Sequence, residues 1–492
     1  MSKKSEVVVV GAGSAALVAA ISAHENGCRK IRVLEKAPFE EMGGNTRFTP
    51  GFWRFAFDSQ EEVRKMNLVP QISEEEWKVI TIEPYPADNF YNSIMECGDG
   101  RPNKQFARWI ADESNDVTLW LTKHGVEWEF SDSFVTATED NRAYNGGLFL
   151  AVKGKGPSLI EFELAELGRL GFEVEYDTAA VGLLRDNGGA VTGVKARAPD
   201  GSYDDIYGTV ILASGGFEAN PEMRSRYLGP QWNLVKTRGT RFNTGEMIQA
   251  AFNLGAQPYG HIAGTHATCV DPVAPDLATL ELGTTTTRVS HQWGVMINTE
   301  GKRFTDEGMD WLFQSYVRMA NDVIMQPGNL AYQVFDIKVD NLLDKLRYPH
   351  ATPIVGDTFE ELADQMTVHQ EQFLATMAEY NDAVDESVEF QPTEKDGRRT
   401  RGLAPDKTNW AQKIDTPPFK AYPVESAITF TFGGLKQDLD SRILDFQDKP
   451  IEGLYGCGEV TGGFFYHRYP AGSGLIKGAI TARAAGRHAA QL

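Results

Sequence analysis

From Glu6 to Val10 the chain reads Glu-Val-Val-Val-Val. Gly11-Ala-Gly13-Ser-Ala-Ala16 follows, then an apolar helical pattern to Asn26, a stop at Gly27, and a second apolar run from Ile31 to Leu34 closed by Glu35. No other stretch limits the fold so strongly. A β-branched run of this kind makes a strand buried on both faces, whose natural place is a parallel sheet. Each part of the motif has a physical task. Gly11 permits the tight turn, Gly13 lets a diphosphate approach the backbone, Ala16 allows close helix packing, and the helix opening at Ser14 and Ala15 turns its positive end toward the anion. Glu35 stands 24 positions after Gly11, where a carboxylate accepts both ribose hydroxyls of an adenosine and repels a 2′-phosphate. FAD or NAD is therefore expected in preference to NADP.

The next segment, Lys36-Ala-Pro-Phe to Gly43-Gly44-Asn45-Thr46, combines a close backbone approach with side-chain donors and selects FAD over NAD. Only one such glycine fingerprint occurs. A pyridine-nucleotide disulfide reductase would carry a second one and a paired-cysteine motif. The four cysteines (Cys28, Cys97, Cys269, Cys457) are far apart, which argues against disulfide frameworks, zinc ribbons and c-type haem and suits a reducing cytoplasm. No metal is expected. With 48 Lys+Arg against 68 Asp+Glu, a net charge of −20 and no basic run, nucleic acid and anionic membrane surfaces are unsuited partners. The polar start, Met1 to Glu6, does not read as a signal peptide, and no apolar stretch approaches the ~18 residues that span a bilayer.

At 492 residues the chain accommodates two or three domains, or one large domain with an insertion. Residues 52–147 read as a helical insertion rich in aromatics. After Lys153-Gly-Lys-Gly-Pro-Ser158 an αβ pattern returns, with a helix over about 159–170, a strand near 172–176, a hairpin through Asn187-Gly-Gly, and a strand Thr209–Ala213 running into Ser214-Gly215-Gly-Phe217. Asn243-Thr-Gly-Glu246 reads as a further turn of the same domain. The expected fold class is α/β: a Rossmann-like FAD-binding domain (1–256 and 422–492) with an inserted α+β catalytic cap domain (257–421).

The Glu-Lys and Gly-Gly-Asn-Thr strings resemble the flavoprotein superfamily that includes fumarate reductases, succinate dehydrogenases and 3-ketosteroid dehydrogenases. Gly453-Leu-Tyr-Gly-Cys-Gly-Glu459 and Gly472-Ser473-Gly474-Leu475 extend the likeness to the C-terminus. Strings such as Asn298-Thr-Glu-Gly-Lys-Arg-Phe-Thr-Asp-Glu307 and Gly462-Gly-Phe-Phe-Tyr-His467 are similar to the tricarballylate dehydrogenase branch. The resemblance implies that the segment at Ala213 and Gly215 passes the adenosine half of FAD, that Glu459 bonds the ribityl chain, and that the last helix points its N-terminus at the flavin ring. It also implies non-covalent FAD, since the His-Thr tether of succinate dehydrogenase is missing.

Two departures bear on the reaction. Fumarate reductases carry a proton-delivering Arg where this sequence has Trp311 and Leu312, and a carboxylate-clamping Arg where it has Tyr469. The ketosteroid dehydrogenases place a carbonyl-polarising Tyr followed by Pro there, as Tyr469-Pro470 does here. The expected activity is an FAD-dependent dehydrogenase acting on CH–CH groups, forming a C=C bond next to the carbonyl or carboxylate of a small organic acid or cyclic ketone. Hydride goes to flavin N5 and a base takes the α-proton; an external acceptor then removes the electrons. Candidate side chains are Tyr469, His467, His266, Arg468 and Tyr466, with His291 a weaker one. His266, His467 and Arg468 have a structural reading beside the catalytic one. An ene-reductase of the fumarate reductase type and a non-catalytic flavin-bearing subunit stand as alternatives.

Overall fold

Strand β1 (Lys4–Val10) lies parallel to β2 (Ile31–Leu34) on one side and to β3 (Tyr203–Leu212) on the other, with Val9 opposite both Val33 and Ile211. Strand β4 (Pro450–Gly456) adds to the far edge of β3 through Val210 and Leu454. Val7, Val8 and Val9 are fully buried, because helices cover this parallel core: α1 (Ser14–Glu25) between β1 and β2, α2 (Lys155–Arg169), and α3 (Ser473–Ala489), which packs along α1. The first half of β3 enters an antiparallel meander with Val191–Arg197 and Ala179–Arg185. The Asn187-Gly-Gly turn between those strands is held by Asp186, whose Oδ1 accepts from Gly188 N and Ala190 N.

In this computed structural model, which describes residues 4–133, 135–137 and 141–491, the chain divides into two compact units. The first comprises Met1–Asn233, Gly239–Thr265 and Phe430–Leu492; the second comprises Leu234–Arg238 and His266–Thr429. Residues 1–3 of the polar start lie outside the described residues. Helix α2 begins at Lys155, four residues before the sequence pattern suggests, because Pro157 falls in the first turn, where no N–H is needed. Among its described residues the segment 52–147 contains four helices (Gln60–Met66, Glu74–Val79, Ala87–Cys97, Lys104–Lys123) and also short strands. Phe52–Trp53 and Trp128–Phe130 flank Leu150–Val152 in a three-stranded sheet. Aromatic residues drive that pairing: the rings of Trp53 and Trp128 lie 5.2 Å apart.

The second unit has its own sheet, in which Phe419–Thr431 pairs with Ala331–Phe335, and that strand with Val295–Asn298. Helices Phe359–Gln365 and Gln370–Ala383 bury Leu362, Phe373, Met377 and Tyr380 against Val295, Ile297 and Val334. Arg303 and Glu307, from the Gly-Lys-Arg-Phe string, form a buried ion pair at 2.6 Å.

Candidate active site

The strand ends and turns of the first unit surround a cleft of about 870 Å³, part of it open to solvent. Its floor is the β1–α1 turn. Gly11 has φ +110°, and a Cβ there would lie 2.5 Å from Ala213 O, so the glycine answers a demand within the protein itself. Gly13 differs. Its φ of −74° suits any residue, and an added Cβ would come no nearer than 3.5 Å to another atom, Gly43 O; the chain leaves this face bare although nothing internal requires it. Helix α1 begins there without a side-chain cap or a first-turn acid, so its positive end is available to an anion. Ser14 N donates to Thr46 Oγ1 at 3.2 Å. Ser14 Oγ donates to Oε1 of Glu163 at 2.6 Å, and burial drives that carboxyl well above the usual range, toward its neutral form.

Glu35 closes the cleft at the end of β2. Its Oε2 accepts from Ala12 N and its Oε1 from Ala37 N, both at 2.8 Å, while burial pushes its pKa upward against these bonds. The Lys36 ammonium turns to Thr244 Oγ1 at 2.6 Å and Glu246 at 2.9 Å. Asn45 donates to Glu218 and accepts from Thr240 N. Thus Gly11, Gly13, Ser14, Ala15, Glu35, Lys36, Gly44, Asn45, Thr46, Ala213, Gly215 and Glu459 all line the cleft. Ala16, Gly43 and Gly472–Leu475 do not. Thr178, Ala180, Phe242 and Met247 line it as well, contributed by segments that carry no glycine fingerprint.

At the last helix, Gly472 (φ +81°) caps α3 without a side-chain bond, and Tyr469 takes that role. Its Oη accepts from Gly474 N at 2.7 Å. The phenol is 6% exposed, with its ring edge-on to Phe430 and Phe465 at 5.4 and 5.1 Å. Burial outweighs the helix N–H groups and the Arg54 charge, and pushes its pKa up to about 12. It therefore keeps its proton at neutral pH, and the amides it accepts from polarise that O–H. Arg54 is fully buried and ties this corner together, with Nε donating to Ala471 O at 2.7 Å and Nη1 to Tyr85 Oη at 3.2 Å.

Tyr466 and His467 stand in a different cluster of the same unit. Tyr466 stacks on His261, the centroids 5.4 Å apart and the planes 6° from parallel. His467 approaches His261 edge-on at 4.8 Å from an uncommon left-handed backbone, φ +55°. Burial, with the Arg101 charge adding to it, lowers His261 to about 4, so its ring is neutral. The Arg468 guanidinium donates to Glu96 O at 2.8 Å and lies 3.6 Å from the Asp99 carboxylate.

In the second unit, His266 Nε2 and Tyr316 Oη are 2.5 Å apart. Burial and the Arg238 charge hold His266 down to about 3; burial and Arg347 bring Arg238 down to about 10. His266, Tyr316 and Arg238 form a polar trio in which only His266 is marked by the sequence patterns. His291 is buried against Ser315 Oγ at 3.0 Å, and Trp311 packs on Trp410 with centroids 5.1 Å apart.

A parallel sheet with a bare turn, an open helix end and an acid at the second strand defines a dinucleotide-binding protein. The pattern of the FAD binding domain family matches residues 6–475, and the chain belongs to that family. Over 99% of its length it is 26% identical to NADH:acrylate oxidoreductase of Vibrio harveyi, and it spans 50% of that protein. It is likewise 26% identical to 3-oxosteroid 1-dehydrogenase of Mycobacterium tuberculosis H37Rv, covering 97% of this chain and 96% of the other. Its fold matches the open conformation of a flavocytochrome c3 fumarate reductase with a TM-score of 0.71 at 23% identity, covering 100% and 78% of the two chains. FAD is its cofactor. The residues fit the group: Gly13 leaves the backbone bare, α1 begins without an acid in its first turn, and Glu35 presents a carboxylate to the cleft. Among the described residues no helix is long and apolar enough to cross a membrane.

Proposed function

We propose that the chain is an FAD-dependent dehydrogenase that forms a C=C bond beside the carbonyl or carboxylate of a small organic acid or cyclic ketone. The observation that carries this reading is Tyr469 seated on the N-terminal amides of α3. FAD supplies a two-electron acceptor for hydride when bound. Tyr469, with its proton in place and its oxygen held by Gly474 N, donates a hydrogen bond to the substrate oxygen and stabilises the negative charge that develops there as an α-proton leaves. Arg54 fixes the turn that carries Tyr469. A base removes the α-proton. Electrons then leave to an external acceptor. Four buried cysteines without disulfides suit a reducing compartment, the cytoplasm.

One relative is named for acrylate, which favours a second reading, an ene-reductase running in the opposite direction. Anaerobic mixing separates the two. As a dehydrogenase, the oxidised protein bleaches its yellow flavin with a saturated acid or ketone alone. Flavin that stays yellow with saturated compounds, but is reoxidised from its reduced form by unsaturated ones, would establish the reductase.

FAD is held without a covalent bond in this reading. Denaturation is expected to release all of it to the supernatant as FAD, measured by absorbance and chromatography. Flavin remaining with the precipitated chain would overturn the expectation.

A further inference from the structure

Glu218 follows β3 by a short turn, as Glu35 follows β2, yet the roles assigned above leave it without a task. It is fully buried. Its Oε1 accepts from Asn45 Nδ2 and from Asn243 Nδ2, both at 2.6 Å, and its carboxyl is hydrogen-bonded to that of Glu459. A methyl group on Gly216 would lie 2.1 Å from Glu459 Oε1 and 2.7 Å from Glu218 Oε2, so the two acids converge over one Cα. Glu459 Oε1 also accepts from Thr431 N at 2.8 Å and Thr431 Oγ1 at 3.2 Å. Three of the residues so joined, Asn45, Asn243 and Glu459, line the FAD cleft. Two touching carboxyls removed from water cannot both ionise at neutral pH.

We propose that Glu218 and Glu459 hold one proton between them, that Glu218 is the positioning residue for this wall of the FAD cleft, and that FAD is held most tightly while the shared proton is present. Burial and the neighbouring Glu459 charge push Glu218 well above the usual carboxylate range, and burial raises Glu459 too. Two cations face the pair. Lys477 on α3 donates to Thr461 O at 2.9 Å and to Gly458 O, and burial brings it down to about 7. Arg224 on helix Pro221–Tyr227 donates to Glu218 O at 3.0 Å. Cys457, which interacts with Lys477, is pushed up to about 12 and stays neutral. Raising the pH removes the shared proton and places a second negative charge beside an anionic cofactor. The sign follows: where binding requires that proton, FAD affinity falls by up to about tenfold per pH unit.

Deprotonation of Lys477 shifts the charge in the same direction, so the experiment must separate the two. The FAD released by holoenzyme at equilibrium is measured by its fluorescence from about pH 6 to pH 10, a range in which ordinary carboxylates no longer titrate. The wild-type Kd is expected to rise with pH, Glu218→Gln to be flat, and Lys477→Met to keep the wild-type slope. Should Glu218→Gln fail to fold, Glu459→Gln carries the same expectation. A flat wild-type profile, a slope that survives in the Gln variants, or a slope lost in Lys477→Met would overturn the proposal.

Discussion

Tyr469→Phe is expected to retain FAD and its fold while losing flavin reduction by substrate by about 10²–10³-fold, the usual effect of removing one oxyanion donor. The ring is anchored independently of its hydroxyl, edge-on to Phe430 and Phe465, so phenylalanine fills the same space. The change costs Gly474 N its acceptor, a loss of about 1 kcal/mol, which the thermal midpoint registers and which is too small to unfold the chain. The far larger kinetic loss comes from the substrate oxygen, which then has no O–H to receive as its charge grows. Anaerobic stopped-flow absorbance, read as the yellow of the oxidised flavin bleaches, follows the reduction directly. Reduction at the wild-type rate would leave Tyr469 as a packing residue at the start of α3.

Glu35→Gln is expected to weaken FAD binding by about 10- to 150-fold, the equivalent of losing a charge-assisted bond worth about 1.5–3 kcal/mol. Both oxygens of Glu35 already accept a backbone N–H, from Ala12 and Ala37, and each has a further lone pair for a ribose hydroxyl. An amide satisfies only one side: its NH₂ group faces either Ala12 N–H or Ala37 N–H, donor against donor. The β1–α1 turn and the adenosine end of the cleft therefore loosen together. Flavin occupancy after extensive dialysis, compared with wild type, measures the effect. Unchanged occupancy would remove Glu35 from the site.

The adenosine half of this cleft was legible because its demands are local. A bare turn, a helix and a second strand with its acid occupy consecutive residues, and Gly11, Gly13 and Glu35 meet in the cleft as their spacing implies. Glu218 was not legible, although Ser214-Gly-Gly-Phe217 directly before it was. Its importance comes from Asn45, Asn243 and Glu459 converging on it from remote parts of the chain, and spacing carries no record of that. Tyr316 escaped for a related reason. Counting onward from the Gly-Lys-Arg-Phe string leads to Trp311 and Leu312, whereas the hydroxyl beside His266 sits further along the helix Leu312–Val323. Arg468, a candidate side chain with a structural reading beside the catalytic one, is engaged by Glu96 O and Asp99, partners that its position in the sequence does not announce.

The cleft floor lies near the beginning of the chain, yet its last supports are made near the end. Cys457 Sγ contacts Ala15 O across 442 positions, and Ser22 Oγ donates to Arg483 O across 461. During synthesis β1, α1 and β2 emerge first, but β1's other neighbour, β3, appears only after residue 203, and α1 keeps its small-residue face uncovered until α3 arrives. A nascent chain thus carries an unfinished nucleotide fold for most of its translation, with apolar surface that a long loop must close at an entropic cost. Such topologies assemble slowly and are exposed to aggregation along the way. The cleft is for this reason completed late in the life of the polypeptide, once Glu459, which lines it, has been made and β4 has joined the sheet.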